Sequence, residues 1–123
     1  MPATLSSDDQ WIHALVATLP GAQFAYKPEW DTWVLMVAGK LFGMRGSHQE
    51  LGEIITLKGD PADNESLRQE FTAVVPGYYT NKQHWNSVAL DTGEVPQDRL
   101  DDLVRESYAL VRAKLPKAVR ESL

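Results

Sequence analysis

Apolar residues recur at helical spacing near the start of the chain. Trp11, Ile12, Leu15, Val16 and Leu19 fall on one face of a 3.6-residue period, and Pro20-Gly21 ends the run. Ser6 or Ser7, followed by Asp8 and Asp9, supplies an N-cap hydroxyl and acids that oppose the helix dipole. The period then shortens. Gln23–Tyr26, Thr32–Ala38 and Lys40–Arg45 are β-branched or aromatic runs separated by Pro28-Glu29 and by Gly39-Lys40, the latter read as a two-residue hairpin turn. Residues 46–51 read as a loose connection, and Glu53–Lys58 as a fourth strand stopped by Gly59-Asp60-Pro61. Asp63 or Asn64 caps a second helix through Leu67, Glu70 and Phe71 to about Ala73, which must break before Pro76 because proline has no N–H to donate and restricts Val75. Trp85–Leu90 reads as a further strand and Asp91-Thr92-Gly93 as a turn. From Pro96 a last helix carries the stripe Leu100, Leu103, Val104, Ser107 and Val111.

Strands joined by short turns favour antiparallel pairing, and amphipathic helices need an apolar face to cover. The predicted class is therefore α+β: a two-layer sandwich with an antiparallel sheet covered by helices. Its order is helix, three to four strands, helix, one to two strands, helix, over a single domain spanning residues 1–123. A length of 123 residues suffices for one core without metal or disulfide staples.

Composition narrows the function. With no Cys, disulfides, thiolate catalysis, iron-sulfur clusters and zinc ribbons are excluded. The apolar run Trp33–Ala38 is far too short to span a bilayer, and no basic stretch precedes an apolar one at the N-terminus, so a cytoplasmic location without membrane contact is expected. A net charge of -5 opposes strong non-specific nucleic-acid binding, which is driven by neutralising phosphates. Arg99, Arg105, Arg112, Lys114, Lys117 and Arg120 cluster near the C-terminus, but Asp98, Asp101, Asp102, Glu106 and Glu121 offset them, as on a solvated helix face.

No catalytic or cofactor constellation stands out. His13, His48 and His84 are scattered, and Asp60 and Asp63 beside Pro61 suit a turn and a helix cap better than an acid-base pair. Phosphate-cradling glycine loops and the nucleophile elbow are missing, so no cofactor is expected. What remains is basic residues beside aromatic ones: Lys40 at the hairpin, Lys58 at a strand end, and Tyr78, Tyr79, Asn81, Lys82, His84 and Trp85 in "VPGYYTNKQHW". Such clusters hold phosphate and stack bases. The same residues also make an ordinary core edge, with Trp85 buried and Asn81-Lys82 at a turn.

The blocks "LPGA" (Leu19–Ala22), "GKLF" (Gly39–Phe42), "LKGDP" (Leu57–Pro61), "VPGYYTNKQHW" (Val75–Trp85) and "ESYALV" (Glu106–Val111) occur in order. Together they resemble the MmcQ/YjbR family of small bacterial proteins. The resemblance implies a frataxin-like or secretion-chaperone-like α+β fold and a DNA-binding, non-enzymatic module. Carried onto this chain, it points to Gly39, Lys40 and Phe42, to Lys58 and Pro61, and to Asn81, Lys82, His84 and Trp85. The expected partner is DNA or another anionic molecule, bound by a monomer. The alternatives are a protein-interaction or chaperone-like module, from the aromatic density and acidic charge, and an enzyme centred on His84.

Overall fold

The computed structural model describes residues 9–78 and 80–123. Ser6, Ser7 and Asp8, expected to open the first helix, and Tyr79 lie outside the described residues. The elements run α1 (Gln10–Val16), β1 (Ala22–Lys27), β2 (Thr32–Val37), β3 (Lys40–His48), β4 (Gly52–Lys58), α2 (Pro61–Glu70), β5 (Val74–Pro76), β6 (Trp85–Ala89), α3 (Gln97–Ala113) and α4 (Lys117–Ser122). The strands form one antiparallel sheet in the order β1-β2-β3-β4-β6-β5. This is the expected α+β arrangement, with four strands before α2, two after it and a short helix added at the end.

The helices share one core on one face of the sheet. Ile12, Leu15 and Val16 of α1, Leu67 of α2, and Leu100, Val104, Tyr108 and Val111 of α3 pack with Leu35, Val37, Phe42, Ile55, Leu57, Val74 and Val88. Each such side chain contributes about 1.5–3 kcal/mol when fully buried. The T-shaped contact of Phe42 with Tyr108, ring centroids 5.5 Å apart, closes the middle of this layer. At its edge Asp9 accepts from buried Arg45 at 2.8 Å, joining the residue before α1 to β3.

Several local expectations are corrected. The β2–β3 turn is Ala38-Gly39, not Gly39-Lys40: both φ angles are positive, 50° and 78°, as a primed hairpin turn requires. β3 continues to His48, because the residues expected to form a loose connection pair with β4 from Ile54 to Gly52. α2 is capped by Asp60, whose Oδ1 accepts from Ala62 N at 3.0 Å, with Pro61 at the first helical position where no N–H is needed. It stops at Glu70, so residues 74–76 are free to pair with β6 as the edge strand β5, where Pro76 is tolerated. Trp85 is half-buried, and it is Val88 that β6 sends into the helical core; Trp85, Ser87 and Ala89 alternate onto the other face.

Candidate functional site

Ser107 fixes the geometry where β4 ends. Its hydroxyl donates to Phe42 O and accepts from Lys58 N at 2.9 Å, tying α3 to two strands. The register of β2 against β3 shifts between Leu35 and Met36, so Phe42 is an extra residue in the ladder and its carbonyl is open to Ser107. On α3 the i+4 and i+7 positions from Ser107 are Val111 and Lys114, which a helix places on the same face. Lys114 is thereby carried to the end of β4, beside Lys58.

The result is a groove of about 340 Å³ lined by Lys40, Lys58 and Lys114, with Leu41, Val111, Leu115 and Pro116 forming its apolar wall. Burial, and then the neighbouring Lys114 ammonium, hold the Lys58 amine below its ordinary range. The lysines divide into two sets. Lys27 sits 4.4 Å from the Trp30 ring centre, Lys82 donates to Gly77 O at 3.1 Å, and Lys117 pairs with Glu121 at 3.8 Å. Among the described residues, Lys40, Lys58 and Lys114 pair with no carboxylate, and no carboxylate lines their groove.

The segment between β5 and β6 is built differently. Asn81 Oδ1 accepts from Gln83 N at 2.9 Å and His84 N at 3.2 Å, forming the turn. Arg68 of α2 donates to Lys82 O and, at 2.7 Å, to Asn86 Oδ1, while Asn64 donates to Gln83 O at 3.1 Å. His84 O accepts from Gly59 N at 2.9 Å, closing the segment against the end of β4. Gly77 is required by close approach, since a Cβ there would stand 2.8 Å from Trp85 Cβ. Beyond it, Tyr78 N donates to Ser87 Oγ at 3.1 Å, and the Tyr78 ring stacks on His48 with centroids 4.0 Å apart. Lys82 Nζ lies 5.5 Å from the other partner in that cluster, the Tyr78 ring.

The structure thus brings Lys40 and Lys58 together and gives Asn81, Lys82 and His84 roles in holding a turn. Trp85 closes over Gly77, and Tyr79 lies outside the described residues. Lys114 was missed by sequence reasoning, which took it as part of a solvated helix face. Its signal was the i+7 spacing from Ser107 in the apolar stripe. Among the described residues no group of three His, Asp or Glu is placed to hold a metal, and no helix is long and apolar enough to cross a membrane.

A two-layer α+β domain with a six-stranded antiparallel sheet is a structural class that known proteins share. The YjbR family model matches residues 17–110. The chain is 34% identical over 104 residues to the uncharacterised protein YjbR of Escherichia coli K12, covering 85% of this chain and 86% of that one. It is also 34% identical over 116 residues to the uncharacterised protein YbdF of Escherichia coli O157:H7, covering 89% and 92%. A crystal structure of a Deinococcus radiodurans protein with a DUF419 domain superposes with a TM-score of 0.82 at 30% identity, covering 99% of this chain and 91% of that one. The chain belongs to the YjbR family.

Proposed function

We propose that the chain is a non-enzymatic binding module that holds nucleic acid through the Lys40–Lys58–Lys114 groove. The observation that carries this reading is the convergence of three lysines without carboxylate partners from three elements, β3, β4 and the end of α3. Burial lowers the Lys58 amine first and the Lys114 ammonium second, and a phosphate between the lysines relieves the second of these. The net charge of -5 opposes phosphate contact over the molecule at large, so a local basic groove is where such contact is favoured. DNA is the partner that the resemblance implies. Lys82 contributes less than the sequence suggests, since its ammonium already serves Gly77.

Fluorescence anisotropy with single-stranded DNA, titrated with salt and repeated on Lys58→Gln, tests the reading. Binding at micromolar protein that weakens with salt and with the substitution supports it. No binding at low salt, or binding indifferent to Lys58, removes it.

One observation favours a protein partner instead. Trp30 is 53% exposed on the β1–β2 connection and, with Thr32, Met44 and Ser47, borders a cleft of about 540 Å³. Loss of a recovered partner on Trp30→Ala, with DNA binding absent, supports that second reading.

A further inference from the structure

Resting on the nucleic-acid reading, we infer that the groove recognises the terminal phosphate of a strand rather than its internal backbone. A terminal phosphomonoester carries about -1.5 to -2 charge at neutral pH and three strong acceptor oxygens. An internal diester carries a single negative charge, and successive diesters are met as a track along the protein. Here three lysines line one cavity of about 340 Å³, near the small end of the range for ligand pockets, and among the described residues no track of unpaired lysines leads away from it. Its lining also contains no aromatic side chain, so it offers no platform on which bases stack. What it offers instead is an apolar wall of Leu41, Val111 and Leu115 against which the terminal sugar packs while its phosphate meets the lysines. Lys27, Lys82 and Lys117, by contrast, already have partners in the Trp30 ring, Gly77 O and Glu121.

The test compares short oligothymidines carrying an internal fluorophore and either a 5′-phosphate, a 3′-phosphate or hydroxyls at both ends. A terminal phosphate is expected to tighten binding about tenfold, the value of one good charge-assisted contact set. Lys114→Gln, an exposed helix-end change that leaves the sheet untouched, abolishes that preference, whereas Lys117→Gln, the same charge change elsewhere, keeps it. A 5′-mononucleotide competes for the preference. Equal binding of all three strands overturns the inference while leaving the nucleic-acid reading standing, and no binding of any strand removes both. A preference that survives Lys114→Gln, or inorganic phosphate competing as well as the mononucleotide, also overturns it.

Discussion

Lys114→Gln removes one of three charges from the groove without altering a buried contact, since Lys114 is exposed and is the residue that follows the last turn of α3. Single-strand binding loses affinity with salt at a slope of about -0.7 per phosphate charge neutralised, so a terminal phosphate of charge about -2 held by the three lysines gives about -1.4. Between about 50 and 200 mM salt that slope corresponds to roughly a sevenfold loss of affinity, and Lys114→Gln is expected to make it shallower. Affinity for a terminally phosphorylated strand at a fixed, near-physiological salt concentration is expected to fall about tenfold as well, since the substitution abolishes the terminal-phosphate preference. Anisotropy titrations at four or more salt concentrations read both quantities from the same protein. An unchanged slope in Lys114→Gln, or a wild-type slope near zero, would refute the assignment of the contact to these lysines.

Three further outcomes follow from the geometry. Gly77→Ala forces a Cβ to within 2.8 Å of Trp85 Cβ and 3.1 Å of its backbone carbon, and urea denaturation is expected to show a loss of roughly 1–3 kcal/mol, as for other overpacked sites; an unchanged midpoint would mean the segment yields freely. Ala38→Asn relieves a left-handed residue in the β2–β3 turn, φ 50°, and is expected to raise the melting temperature in calorimetry, with a fall counting against the primed-turn assignment. Because the Lys58 amine is held below its ordinary 10.5, the unfolded chain binds a proton that the fold has released between that lowered value and 10.5; stability from this group therefore rises with pH across that window and is flat below it. Lys58→Met should remove that slope in denaturant titrations at alkaline pH, and an identical slope in both proteins would contradict the burial and repulsion assigned to Lys58.

The sheet and the long helices were legible because their apolar periods are long and uninterrupted: Leu100, Val104, Ser107 and Val111 announce the buried face of α3 in the sequence as they occupy it in the structure. The boundaries were less so. β5 is three residues long and contains a proline, so neither alternation nor propensity marks it; its pairing with β6 makes it a strand. The continuation of β3 through Gly46, Ser47 and His48 likewise depends on its partner strand rather than on its own residues. At the candidate site, Lys40 and Lys58 were visible as basic residues at turns, but their neighbour Lys114 is more than fifty positions away in the chain. The packing of α3 on the sheet, pinned by the Ser107 bridge to Phe42 and Lys58, brings it there. The "TNKQHW" block stood out for its composition, yet its backbone carbonyls accept from the Asn64 and Arg68 side chains, and its Asn81 and Lys82 side chains are taken up by backbone partners. Conspicuous side chains and available side chains are different sets.

The most direct measurement is an NMR titration that follows the lysine ε-methylene signals while a 5′-phosphorylated oligothymidine is added. Lys40, Lys58 and Lys114 are expected to shift together with one apparent Kd, with Lys58 moving toward an ordinary amine pKa as phosphate offsets its neighbour, while Lys27 and Lys117 stay in place. Shifts centred on Lys82, or spread evenly over all the lysines, would contradict binding in this groove.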